Sequence, residues 1–165
     1  MSRQKRYLLD TNIWLDVYLG DRENHRASSA LLAKLIEQES AILYPASALS
    51  DVTYIVAATL KRSLRESGQK VTEGHFKAIN EISWACADNM TELAAIAPLD
   101  SADVRIGMKH RALHDDLEDD LVIAAGLRAE VDFLITNDKD FLGRSPLPTL
   151  SSPDMLALLT AHEQS

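Results

Sequence analysis

Apolar residues in this chain fall alternately into short runs and longer helical stripes. Tyr7-Leu8-Leu9 is a brief apolar run and predicts a buried strand. Leu31, Leu32, Leu35 and Ile36 recur at helical spacing, and Ala41-Ile42-Leu43-Tyr44 then predicts a second strand, stopped by Pro45. Leu49, Val52, Val56 and Leu60 mark one face of a long helix, and Ile79, Ile82, Ala85 and Cys86 continue a helical pattern. Leu93 to Ala97, ending at Pro98, predicts a third strand, and Leu121 to Leu127 a helix. Phe133-Leu134-Ile135-Thr136 is the clearest strand, Leu147 to Leu150 reads as a last one, and Met155 to Leu159 as a closing helix.

Short apolar strands separated by helices imply βαβ units, hence an α/β fold with a parallel sheet covered on both faces. In such sheets, ligand sites lie beyond the carboxyl ends of the strands. The 165 residues, 46% of them hydrophobic, suit a single domain over 1–165 with one core and argue against a disordered tail. The lone cysteine, Cys86, excludes an internal disulfide or a multi-cysteine zinc site, and reads as a small buried residue of a reducing compartment. The basic start, Met1 to Arg6, leads into an apolar run that Asp10 cuts short, so no signal peptide is expected. No membrane span is expected either, and the reading is cytoplasmic. A net charge of −8 opposes non-specific binding of nucleic acid, unless the acids are gathered around cations.

The acids are therefore the informative residues. Asp10 follows the first strand, and Asp138 follows the Phe133–Thr136 strand, so two strands deliver a carboxylate to one rim. Each could equally cap a helix or serve a turn. Asp115, Asp116, Glu118, Asp119 and Asp120 crowd the start of the next-to-last apolar helix, more acids than capping explains. Asp51 sits inside the long amphipathic helix at the edge of its buried stripe. Two carboxylates ~4 Å apart repel by ~4 kcal/mol at an effective dielectric of ~20, so a gathered set needs protons or cations. All-oxygen donors suit Mg²⁺ or Mn²⁺, and the chemistry such sites support is phosphodiester hydrolysis.

These residues resemble the motifs of the PIN-domain family. Leu8-Leu9-Asp10-Thr11-Asn12 is similar to its opening motif, and Ala46 to Ile55 to its second-acid helix. Asp116 to Leu121 and Leu134 to Phe141 are similar to its third and fourth motifs, and Pro148 to Pro153 to its closing strand and helix start. The resemblance spans nearly the whole chain. It implies a three-layer α/β/α fold and a metal-dependent ribonuclease with Asp10, Asp51, Asp119 and Asp138 as catalytic and metal-binding acids. It further implies Asn12 and Thr136 as supporting polar groups; beside the set that the resemblance implies, Asp116, Glu118, Asp120 and Asp140 stand as candidate additional acids. Many bacterial single-domain members are toxins of toxin–antitoxin pairs, the VapC-like group, which implies a small antitoxin as partner. Glu118, Asp119 and Asp120 point ~100° apart on a helix, and comparison with relatives favours Asp119. Two positions depart from the pattern: Asp51 stands where many relatives carry Glu, and Asn137 where many carry Arg. They motivate an alternative, a catalytically weak PIN-fold module that binds RNA or protein.

Other constellations carry less. Asp10-Thr11-Asn12 lacks the second aspartate two residues on that a haloacid-dehalogenase-like phosphatase needs. His110 and His114 have metal-ligand spacing but no third histidine nearby, and Ser47 and Ser50 have no histidine near in sequence. Lys61, Arg62 and Arg65 form a basic cluster suited to RNA phosphates or an acidic partner, or simply a solvated face. Trp14 and Trp84 read as core or interface aromatics. The outer face of the long helix, with Tyr54, Ile55 and Ala58, is the expected seat of an antitoxin helix or of a second copy, a homodimer being the default.

Overall fold

The computed structural model describes residues 3–109 and 116–163; His110, His114 and Asp115 lie outside them. Five parallel strands form one sheet: β1 (Arg6–Leu9), β2 (Ala41–Tyr44), β3 (Ala95–Ile96), β4 (Phe133–Ile135) and β5 (Thr149–Leu150). Their order is β3-β2-β1-β4-β5, so the first strand is the central one. Tyr7 pairs with Ile42 on one side and with Phe133 on the other. The helices are α1 (Thr11–Tyr18), α2 (His25–Glu37), α3 (Ala46–Glu66), α4 (Glu73–Leu93), α5 (Ser101–Lys109), α6 (Leu117–Arg128), α7 (Lys139–Leu142) and α8 (Ser152–Glu163).

The period-two alternation of β1 splits the core. Tyr7 and Leu9 face a cluster built from α1, α2, α3 and α8, with Trp14, Leu31, Leu35, Val52, Val56 and Met155 buried in it. Leu8, with Leu134 of β4, faces the opposite cluster, built on Val122, Ile123 and Ala125 of α6 and Phe141 of α7. Those two helical layers about one sheet are the expected α/β/α sandwich. Gly126 lets α6 settle onto the sheet, because a Cβ there would stand 2.7 Å from Leu147 Cδ1 and 3.3 Å from Leu8 Cδ2.

The strand predictions shorten where caps intrude. Leu93 belongs to α4, and Ala97 follows β3, so only Ala95–Ile96 pair there. Three helices escaped the pattern: α1, α5 and α7. Among the described residues, no helix is long and apolar enough to cross a membrane.

Candidate active site

The carboxyl ends of β1, β2 and β4 open onto one rim, and the chain places acids there for local reasons. Asp10 follows β1 directly and is the N-cap of α1, its Oδ1 accepting from Thr11 N at 2.8 Å. Asp138 follows β4 and is the N-cap of α7, its Oδ1 accepting from Asp140 N at 2.8 Å. Asp116 caps α6 by accepting from the backbone of Glu118 and Asp119. Capping and site membership are thus compatible uses of the same carboxylates, since each strand-to-helix junction turns at the rim.

Asp10 is the anchor. It is 8% exposed, and its Oδ2 accepts from Thr136 Oγ1 and from Asn12 Nδ2, both at 2.8 Å. Thr136, fully buried, also receives hydrogen bonds from Asn12 Nδ2 at 2.8 Å and from Asp138 N at 3.1 Å. One hydroxyl therefore locks the acids of β1 and β4 together. Burial pushes the Asp10 carboxyl above its ordinary range and the charge of Asp138 adds to this, while the bonds from Thr136, Thr11 and Asn12 act the other way.

Asp119, in the first turn of α6, is half-buried and makes no hydrogen bond through its carboxylate among the described residues. Its pKa is pushed up to about 7, by burial first and then by the charges of Asp116, Asp10, Asp138 and Glu118. Glu118 is raised by partial burial, then by Asp51, Asp10 and Asp116, and by a hydrogen bond shared with Asp51. Acids from β1, α3, α6 and the β4–α7 junction thus feel one another's charge. Among the described residues, no three His, Cys, Asp or Glu side chains are arranged to close on an ion as they stand.

The remaining sequence candidates divide. Asp120 is buried at 2% exposure and is not among the leading charges on Asp10, Glu118 or Asp119. Asp140 is exposed, one residue into α7, and lends its backbone N–H to Asp138. Lys61, ten residues along α3 from Asp51, lies about 15 Å away down the helix. Its Nζ lies 6.0 Å from the centre of the Phe76 ring, and Arg62 and Arg65 continue beyond it, so this basic cluster is not part of the rim. Trp14 is core, whereas Trp84 is 60% exposed. Tyr54 is 75% exposed and Ala58 is exposed, but Ile55 packs against the core.

Asn137 is the position at which many relatives carry Arg. In the structure its side chain is a structural tie: Nδ2 donates to Asp16 Oδ2 at 2.7 Å and to Ser152 Oγ at 3.0 Å, and Oδ1 accepts from Ser152 N at 2.9 Å. Its backbone N–H donates to Asn12 Oδ1 at 2.9 Å. Sequence reasoning missed Asp16 and its partners Arg22 and Ser28 altogether. The signal was there: Asp16 follows Trp14-Leu15 and precedes Val17-Tyr18, an acid in apolar company.

A family model described as PIN domain matches residues 6–140. No curated protein matches the chain. Among solved structures, VapBC-1 from nontypeable Haemophilus influenzae is similar at TM-score 0.57 and 14% identity, over 89% of this chain and 98% of that one. PAE2754 from Pyrobaculum aerophilum is similar at TM-score 0.54 and 15% identity, over 98% of this chain and 99% of that one. At these identities the likeness speaks for the fold.

Proposed function

The chain belongs to the PIN domain family, and we propose that it is a metal-dependent endoribonuclease that hydrolyses RNA phosphodiester bonds. The observation that carries this reading is the gathering of carboxylates at one rim: Thr136 ties Asp10 to the Asp138 backbone, and the charges of Asp10, Asp138 and Glu118 act on Asp119, with Asp51 beside Glu118. Such a set is stable only with protons or cations between its members. Asp119, raised to about 7 and lacking a donor among the described residues, fits a hard cation, and the all-oxygen set suits Mg²⁺ or Mn²⁺. Asp10, Asp119 and Asp138 would hold it, with Asp51 as ligand or water-positioner. Bound there, a divalent ion supplies an activated water and charge relief for the leaving oxygen. The chain's own part is orientation: Thr136 and Asn12 fix the Asp10 carboxylate, and Thr136 holds the Asp138 backbone beside it.

Purified protein with Mg²⁺ or Mn²⁺ should cut RNA, and EDTA or Asp10→Asn should abolish cutting. Cleavage that survives both refutes the mechanism. Sequencing the ends of RNAs cut after induction identifies the target.

One observation favours a second reading, a catalytically weak binding module: among the described residues, no three acids converge on an ion as they stand. Calorimetric titration with Mn²⁺ separates the two. The nuclease shows saturable binding that Asp119→Asn removes; the module shows none and still binds RNA or protein.

As a toxin the protein would need a neutralising partner. The exposed Tyr54 face of α3 suits an amphipathic antitoxin helix or a second copy of the chain. Co-purification with the product of a neighbouring gene tests the antitoxin, and light scattering of the isolated chain tests the homodimer. A strict monomer, harmless when expressed alone and without a neighbouring partner gene, would remove the toxin reading and leave the nuclease reading standing.

A further inference from the structure

The acidic rim raises a problem that the proposed reaction does not solve by itself. A phosphodiester strand must approach a chain of net charge −8 at the place where its carboxylates crowd. Two clefts flank that place. One, of about 420 Å³, is mostly apolar and reaches Asp51 and Glu118. The other, of about 400 Å³, is polar and borders Asn12 and Asp138. Among the described residues lining either cleft, Arg22 of the α1–α2 turn is the one cation.

Arg22 is held in a way that leaves its outer nitrogens available. Its Nε donates to Asp16 Oδ1 at 2.6 Å, while Asp16 is buried at 3% exposure. The second Asp16 oxygen is fixed by Asn137 Nδ2 at 2.7 Å and by Ser28 Oγ at 3.3 Å. The Nη groups have no acceptor among the described residues, and the side chain stays 38% exposed. A guanidinium is planar, so pinning Nε on a rigid carboxylate fixes the direction of the Nη pair, the edge suited to phosphate oxygens. Backbone and side-chain bonds then run from Asn137 to Asn12 and from Asn12 to Asp10, tying the cation to the rim. Glu23 also lines this cleft, so the pinned geometry of Arg22, not bulk charge, is what favours an anion there.

We infer that Arg22 receives the RNA phosphate adjoining the bond to be cut, with Asp16 and Asn137 as the residues that position it. The inference rests on the nuclease reading. The full chain carrying Asp119→Asn, to stop cleavage, is titrated with a fluorescently labelled single-stranded RNA across a potassium chloride series. Adding Arg22→Gln should weaken binding roughly tenfold and lower the slope of log K against log salt by about 0.7, one phosphate contact to a single strand. The loss should be similar for RNAs of different sequence. Arg22→Lys should keep the slope while losing part of the affinity. Arg22→Gln alone strands a buried carboxylate, so Arg22→Gln with Asp16→Asn serves as the folding control and should show the same shallower slope. An unchanged slope in the Arg22→Gln protein, or recovery of affinity in the double variant, overturns the assignment and leaves the nuclease reading intact. If the chain with Arg22 present binds no RNA at any salt concentration, the assignment and the nuclease reading fall together.

Discussion

Asp119 is the residue on which the charge of the rim concentrates. In the metal-free protein its carboxyl holds a proton to about pH 7, whereas an aspartate in the unfolded chain releases it near 3.8. The folded state therefore binds more protons than the unfolded state between those values. Stability accordingly falls as pH rises through that window. Metal-free protein should melt at higher temperature at pH 5.5 than at pH 8. Asp119→Asn should flatten this dependence and raise Tm at pH 8 by ~2–4 °C, the equivalent of ~1 kcal/mol in a chain of this size. Scanning calorimetry in EDTA across that pH range checks both, and a melting temperature indifferent to pH would place the charge burden elsewhere. Thr136 carries the opposite kind of load. Thr136→Val keeps the volume but leaves Asp10 Oδ2, Asn12 Nδ2 and Asp138 N each short of a partner. A loss of ~2–3 kcal/mol in urea unfolding is expected, and a loss under ~0.5 kcal/mol would mean that these groups repair their bonds locally.

At the scale of elements, the rim depends on where α6 rests. Its first turn carries Glu118 and Asp119, and its seat on the sheet is set two turns later by Gly126. Gly126→Val gains helix propensity but drives methyl groups into Leu147, Leu8 and Val131, so overpacking of ~1–3 kcal/mol should prevail. On the nuclease reading, a displaced α6 would carry Asp119 with it, so RNA cleavage should fall more steeply than for a cavity-forming change of equal cost, such as Val56→Ala in the opposite layer. Paired measurements of Tm and cleavage rate on the two variants decide it. The elements were legible in the sequence where burial imposes a period. Ala41–Tyr44 appears with its predicted bounds, and the Val52–Val56 stripe is buried. The helix α1 was not legible: Thr11 to Tyr18 is buried on most sides, so its apolar residues are near-continuous and show no stripe. The four-residue α7 exists through the Asp138 cap rather than through any period. The rim acids could be read because strand ends are recognisable and acids there are conspicuous. Asp16 in its apolar company left a trace, with Arg22 six residues on, but its tie to Asn137 could not be read, because those two meet only through β1–β4 pairing.

For the whole molecule, sheet order governs everything else. The first strand is central, with β2 on one side and β4 on the other. A chain shortened to end at Arg128 would lose β4, β5 and α8, opening one flank of β1 and removing both Thr136 and Ser152. It should show no cooperative thermal transition by circular dichroism, and a sharp transition would mean that the part from β1 through α6 is self-sufficient. The intact protein, dominated by parallel pairings between distant segments, should refold on the millisecond-to-second scale rather than in microseconds, which stopped-flow fluorescence of Trp14 and Trp84 would follow.

That order also sets a clock during synthesis. Asp10 leaves the ribosome early, but the hydroxyl that locks it arrives 126 residues later. At roughly 5–20 residues per second, the nascent chain spends roughly 6–25 s with Asp10 lacking the Thr136 hydroxyl. On the nuclease reading, a half-made copy is harmless to the messenger from which it is being translated. The cutting edge is assembled only after β4 and the hydroxyl that follows it have been made.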